Sequence, residues 1–379
     1  MKRCKDYATH YPKWNDWKWQ VANRIATADG IAGFLGMSEA EKHDVGQCLS
    51  AFRMAVTPYY ASLIDPDDPD DPIRKVCVPS IQETYPCEND MADPLGEVND
   101  SPVPHIVHRY PDRVLFLVTL RCSTYCRYCT RRRVVGEEDR IITEPELKTA
   151  LGYIRSHPEI RDVLISGGDP LVMGTEKLEH IISELRAIPH VDIIRIGTRV
   201  PVVLPMRITE ELLAMLKKYQ PIWINTHFTH PRELTPESER ACTAIVDAGI
   251  PLGNQTVLLR GINDRTEILK ELFLTLVHLR VRPYYLYQCD LSNGIGHFRT
   301  TVDEGIDIMH TLTGNISGYA VPKFVIDAPG GGGKVPINYN YVLSKDDREV
   351  VMENFRGEIY RYPQPANRQN RTDGPLPES

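Results

Sequence analysis

The chain is predicted to be an α/β protein: a partial (β/α)6 TIM-like barrel with a helical amino-terminal extension and a short carboxyl-terminal segment. Three observations carry this. Six short runs rich in β-branched and aliphatic residues begin at 113, 161, 192, 221, 250 and 282, spaced by 48, 31, 29, 29 and 32 residues. Helical patterns such as TEPELKTALGYIRSH, TEKLEHIISELRAI and TEELLAMLKKY lie between them, which is the rhythm of parallel βαβ units; near-continuous apolar strands suit a sheet covered on both faces. The polar residues that interrupt the apolar pattern fall at the carboxyl ends of the strands, the face on which a parallel barrel carries its chemistry. Six units fall short of the eight that close a full barrel, so an open barrel is expected.

Each element follows in order. Residues 1–108 form a helical amino-terminal region and wrapping linker: 1 to about 64 lack strand alternation and read as helices, as in MSEAEKHDVGQCLSAFRMAVTPYYASL, followed by a break at Asp65-Pro-Asp-Asp-Pro-Asp-Asp-Pro72. Five acids and three prolines make that break an extended, solvated connector, and 73–108 read as an irregular wrapping segment. Residues 109–315 form the barrel. RVLFLVTL (113–120) leads into Cys122, RDVLISGG (161–168) ends in Gly167-Gly168-Asp169, and DIIRIGT (192–198) ends in Thr198 and Arg199. PIWINTHF (221–228) delivers His227 and then His230, IPLGNQTVLL (250–259) carries Asn254 and Gln255, and RPYYLYQ (282–288) is followed by Asp290. Several of the intervening helices open on a Thr followed by acids, an N-cap with charge favourable to the helix dipole. Residues 316–379 add FVIDAP, a glycine run and short extended pieces, and the closing NRQNRTDGPLPES reads as disordered.

Composition bounds the function. With 44 Lys+Arg against 51 Asp+Glu the net charge is −7, which argues against a nucleic-acid binder held by phosphate contacts. No run of about 18 apolar residues is present to span a membrane, and the amino terminus has no apolar core like that of a secretory signal. Nine cysteines in such a chain read as reduced thiols or metal ligands, with a cytoplasmic location expected.

Two motifs carry chemistry. Cys122, Cys126 and Cys129 stand at C-x3-C-x2-C spacing directly after the first strand. Buried structural thiols and a zinc site are the alternatives. A loop crowded with arginine is a poor place for the first, and zinc normally takes four ligands in more widely separated pairs. Three thiolates in one short loop suit a [4Fe–4S] cluster with one iron lacking a protein ligand. Asp327-Ala-Pro-Gly-Gly-Gly-Gly-Lys334 is not a Walker A loop, since Val335 follows the lysine. Its glycines would let backbone approach closely and deliver one amine, either as an exposed lysine or as one that forms a Schiff base with an aldehyde cofactor.

The cysteine motif followed by GGDP (167–170) resembles the radical S-adenosylmethionine (SAM) superfamily, and APGGGGK resembles the pyridoxal phosphate (PLP) segment of the lysine 2,3-aminomutases. The likeness extends over WNDWKWQ, RMAVTPYYASLIDP, DSPVPHIVHRYPDR, CRYCTRRR, RIGTRVPVVLP, NTHFTHP, GNQTVLLRGIND, RPYYLYQCDLS and HFRT, nearly the whole chain. It implies a barrel of the radical SAM type whose open iron binds the amino and carboxylate groups of SAM. The radical made from SAM would take a hydrogen from substrate Cβ before the amino group migrates. Residue by residue it implies that Gly167, Gly168 and Asp169 hold the SAM amino group and that Lys334 carries PLP in Schiff-base linkage. Arg109 and Arg113, with Tyr110 nearby, would meet the PLP phosphate. Arg131 would clamp the substrate carboxylate, and Asp290 and Asp327 would receive its distal ammonium. Thr198, His227, His230, Gln255 and Tyr287 would line the cofactor pocket, while Arg132 and Arg133 are unassigned.

Two carboxylates at one end of a pocket repel each other unless a cation lies between them. An amino acid with a positive distal group is therefore expected and glutamate is disfavoured; among such substrates the resemblance implies free L-lysine, converted to β-lysine, with arginine or ornithine as alternatives. A non-catalytic iron–sulfur electron-transfer protein, the reading of a different class, would need neither Lys334 nor the aspartate pair. The resemblance also implies an electron donor such as a flavodoxin or ferredoxin, and a homo-oligomer is expected. The clostridial type has a Cys-rich tail that binds zinc between subunits. Here the last cysteine is Cys289 and Arg265 stands where that type supplies another ligand, so no structural zinc is expected. Cys4, Cys48, Cys77, Cys87, Cys242 and Cys289 are taken as packed or surface thiols.

Overall fold

A computed structural model describes residues 10–135 and 139–365; Cys4 and the closing 366–379, including the whole stretch read as disordered, lie outside them. Five short helices open the described chain: α1 (Trp17–Ala22), α2 (Ala28–Leu35), α3 (Glu39–Leu49), α4 (Pro58–Ala61) and α5 (Pro72–Cys77). Nine strands then form one sheet in sequence order: β1 (Ile106–Tyr110), β2 (Arg113–Thr119), β3 (Asp162–Gly167), β4 (Ile193–Gly197), β5 (Ile222–Thr226), β6 (Leu252–Leu258), β7 (Arg282–Gln288), β8 (Lys323–Ala328) and β9 (Gly333–Pro336). The pairs from β2 to β8 are all parallel, and antiparallel β1 and β9 flank them. The crossovers carry α6 (Glu144–Arg155), α7 (Thr175–Arg186), α8 (Val200–Val203) with α9 (Glu210–Lys218), α10 (Pro236–Asp247), α11 (Thr266–His278) and α12 (Val302–Leu312).

The six expected strands are β2 to β7. FVIDAP, read as an extended piece outside the barrel, is instead a seventh parallel strand, in register with β7 through Tyr285–Lys323 and Tyr287–Val325. The strands alternate rather than being buried on both faces: Val163 and Ile165 of β3 are buried, while Leu164 and Ser166 are half-buried and face a cavity. The barrel interior is therefore open space lined by side chains, unlike the filled core of a closed barrel.

The caps follow the expectation at α9, where Thr209 Oγ1 accepts from Leu212 N, and at α6, where Glu146 accepts from the Thr143 amide and hydroxyl. At α7 the cap is Gly174, because Thr175 Oγ1 instead accepts from Arg207. The acidic connector is not wholly solvated either. Asp71 is buried, caps α5 through Arg74 N at 2.7 Å and pairs with Arg232 at 2.6 Å. Beyond the barrel, β10 (Val342–Lys345), β11 (Glu349–Glu353) and β12 (Ile359–Pro363) form a separate antiparallel sheet. Among the described residues no helix is long and apolar enough to cross a membrane.

Candidate active site

The cysteine loop leaves β2 and is held from outside by the amino-terminal region. The amides of Tyr125 and Arg127 donate to Ala55 O and Val76 O, each at 2.8 Å, and Arg24 reaches Cys122 O at 2.6 Å. Inside the same wall, buried Glu83 accepts from both Arg127 and Arg132. Burial opposes its charge, and the two guanidinia outweigh that penalty, holding the Glu83 carboxyl below its usual range. Cys122, Cys126 and Cys129 all line the cavity. Burial pushes the Cys122 and Cys129 thiols up, each helped by neighbouring cysteine charge; bound iron would reverse that balance, because a metal cation favours the thiolate. Among the described residues no three Cys, His, Asp or Glu side chains converge on one metal ion. A [4Fe–4S] cluster makes a different demand, one thiolate for each of three irons, and three cysteines spread along one loop fit it.

Gly167 and Gly168 bring the end of β3 against the approach to that loop. Gly168 N donates to Thr119 O at 2.6 Å and Asp169 N to Arg121 O at 2.8 Å. A Cβ on Gly168 would lie 2.3 Å from Arg121 O, so no side chain fits there. Asp169 is filled by this chain: Oδ1 accepts from Thr198 Oγ1 at 2.6 Å and Leu171 N at 3.1 Å, Oδ2 from Arg199 N at 2.8 Å. Asp169 and Thr198 thus clamp the ends of β3 and β4 together.

A cavity of about 550 Å³ runs from the cysteines down the barrel to Asp162 and Arg195 near the strand starts. All seventeen cofactor, metal and substrate residues assigned to the pocket other than His230 line it. His230 lies outside because its Nδ1 accepts from Arg232 N as the cap of a 3-10 turn. Asn254 is likewise used in structure, accepting from Phe228 N at 2.7 Å, whereas Gln255 next to it donates to His227 Nε2 at 2.7 Å. Burial first, then the charges of Arg199 and Arg131, lower His227 to about 3, so its ring is neutral and the accepting Nε2 places its proton on Nδ1.

Lys334 lies on β9 opposite Asp327 on β8, and its Nζ donates to both Asp327 oxygens at 3.0 and 3.3 Å. Tyr110 Oη accepts from the Lys334 amide at 3.0 Å, joining β1 to β9 across the open seam of the barrel. The glycine run serves the same closure. Gly330 N donates to Pro94 O, and a Cβ on Gly96, at φ +64, would lie 2.9 Å from the Gly330 carbonyl carbon. Arg109 pairs with Asp100 at 2.7 Å and also donates to Leu95 O; Arg113 stacks over Tyr110 at 4.2 Å and pairs with exposed Asp112. Arg131 is gripped through Nε and Nη2 by buried Glu97 at 2.6 to 3.1 Å. Burial, then the Asp327 charge, pushes Asp290 up to about 7.

Glu97 and Glu83 were not singled out in the sequence, since they sit in an aperiodic segment where nothing marks a buried acid. Arg199 was visible as a strand-end polar residue but drew no role.

A [4Fe–4S]-competent cysteine loop at the carboxyl mouth of a parallel barrel defines a radical SAM protein, and the radical SAM superfamily model matches residues 116–272. A second family model, lysine-2,3-aminomutase, matches 309–375. The L-lysine 2,3-aminomutases of Clostridium subterminale and Acetoanaerobium sticklandii are each 56% identical, over 93% of this chain and 85% of theirs. A glutamate 2,3-aminomutase of Clostridioides difficile is 44% identical over 92% of this chain and 82% of its own. The chain belongs to the lysine 2,3-aminomutase family of radical SAM isomerases.

Proposed function

We propose that the chain moves the α-amino group of L-lysine to Cβ, giving β-lysine, with a [4Fe–4S] cluster, SAM and PLP as cofactors. The observation that carries the substrate is the carboxylate pair. Asp290 and Asp327 both line the cavity, and after burial the Asp327 charge is what pushes Asp290 up, so an amino acid with a distal cation relieves the pair and glutamate aggravates it. The relatives named for lysine support this reading over the one named for glutamate.

When bound, the cluster and SAM supply the hydrogen-abstracting radical and PLP stabilises the migrating nitrogen. Cys122, Cys126 and Cys129 hold the cluster, and Gly167, Gly168 and Asp169, with Thr198, His227 and Gln255, shape the SAM side. Lys334 would hold PLP through its amine, while Arg109, Tyr110 and Arg113 would meet its phosphate, with Tyr287 completing the wall. Arg113 is suited to this because its partner Asp112 is exposed and readily exchanged. Asp327, which pairs with Lys334 in this structure, would with Asp290 receive the substrate's distal ammonium. Arg131 receives the substrate carboxylate on the side that Glu97 does not use. Closed walls hold the reacting atoms in place and keep water from them.

The electron comes from a low-potential donor such as a flavodoxin or ferredoxin, in the cytoplasm, and the chain works as a homo-oligomer. The test is anaerobic turnover of reconstituted protein with PLP, SAM and a strong reductant, offered lysine, arginine, ornithine or glutamate separately. β-Lysine from lysine is expected. Conversion of arginine or ornithine alone overturns the substrate, and SAM cleavage with no rearranged amino acid overturns the aminomutase.

A further inference from the structure

Arg199 follows β4 directly, and its backbone is fixed by the bond from its amide to Asp169. Its guanidinium is buried and engaged at every nitrogen. Nε donates to His227 O at 3.2 Å and Nη2 to Tyr60 Oη at 2.9 Å, with Glu233 also on Nη2. Nη1 donates to Cys126 Sγ at 2.9 Å. Glu233 is itself immobile: fully buried, it also accepts from Tyr60 Oη and from the amides of Thr229 and His230. A buried ion pair contributes little net stability compared with well-packed apolar side chains, so fold stability alone does not account for this one. What distinguishes it is where its cation ends. Among the described residues, Cys126 is the cluster cysteine with a guanidinium nitrogen at hydrogen-bond distance.

We propose that Arg199 tunes the reduction potential of the cluster through the Cys126 sulfur, with Glu233 and Tyr60 as positioning residues that fix it and temper its charge. This rests on the reading of Cys126 as a cluster ligand. Hydrogen bonds to ligand sulfurs and nearby charge are the protein's levers on an iron–sulfur potential. An added electron makes the cluster more negative, so a cation on one of its sulfurs favours the reduced state and a neighbouring carboxylate disfavours it. The two halves of the pair must therefore act with opposite sign, which no purely structural role would produce.

The experiment is a mediator titration, followed by electron paramagnetic resonance, of anaerobically reconstituted wild type, Arg199→Gln, Arg199→Lys and Glu233→Gln, with iron and sulfide content measured on each. Arg199→Gln is expected to shift the midpoint to more negative potential and Glu233→Gln to more positive, with Arg199→Lys between wild type and Arg199→Gln. Identical midpoints for Arg199→Gln and wild type at full iron content overturn the proposal, as do shifts of the same sign in both variants. If Arg199→Gln fails to take up iron, Glu233→Gln decides alone: a midpoint that is unmoved or more negative overturns it. Iron content of Cys126→Ala tests the ligand reading separately. A full cluster there sinks that reading, whereas its loss with unmoved midpoints in the other variants sinks only the tuning role.

Discussion

Among the described residues no hydrogen bond reaches the Asp290 carboxylate, and its environment raises it to about 7 from an ordinary value near 3.9. A raised acid binds a proton more tightly folded than unfolded. Its contribution to stability is therefore best at low pH and is lost as pH climbs from about 4 through 7. Substrate binding has the opposite demand, since a distal ammonium needs the ionised form. We expect kcat/KM for lysine to fall below about pH 7, and Asp290→Asn to remove that limb of the profile along with most of the activity. The same variant is expected to raise the melting temperature of the substrate-free protein at pH 8 by a few degrees; a lower melting temperature would show that the charge is not a burden to the fold. Lys334→Ala should abolish the absorbance of protein-bound PLP and leave iron content unchanged. The residue scale was also the most legible in sequence, because spacing and strand-end position mark Cys122, Asp169 and Asp290 without reference to packing. His230 misled for the same reason: it follows a strand end, but one turn further on its ring caps the backbone.

At the scale of elements, the β8–β9 hairpin shows what a sequence pattern leaves hidden. β8 has the apolar strand character of its neighbours but ends in glycines, and from composition alone glycines read as looseness. Here they are a fitted surface. Gly330 and Gly331 take left-handed backbone, and Gly330 lies against Gly96 closely enough to exclude a Cβ. Gly96→Ala should cost about 1–3 kcal/mol in stability and weaken PLP retention while sparing the iron, as judged by denaturant titration and cofactor content. Equal retention of PLP would show the contact to be incidental. The acids of the wrapping segment were hidden in another way. Glu83 and Glu97 sit between residues with no period, and only the folded chain reveals that they meet the arginines around the cysteines. The six main strands were legible because spacing survives any detail of packing.

On the scale of the whole molecule, the small carboxyl-terminal sheet, which touches the end of α12 through Phe355 against Gly314, carries large apolar side chains in solvent: Leu343, Ile359, Tyr360 and Tyr362 are each more than half exposed. Exposed antiparallel strands of this kind favour pairing with another chain, which supports the homo-oligomer proposed above. Ile359→Glu with Tyr362→Glu should shift the mass measured by light scattering to that of a single chain, with iron and PLP content kept; an unchanged mass would place the association elsewhere.

The bond from the Lys334 amide to Tyr110 joins positions 224 residues apart in sequence. Contacts that close such long loops are entropically the most demanding a folding chain makes, and they form late. The lysine that carries the chemistry sits on a strand at the edge of the sheet, where local opening is easiest. Amide exchange at Lys334 should run well ahead of exchange in β3 and β4 and should slow when PLP is added, so the cofactor would steady the strand that holds it.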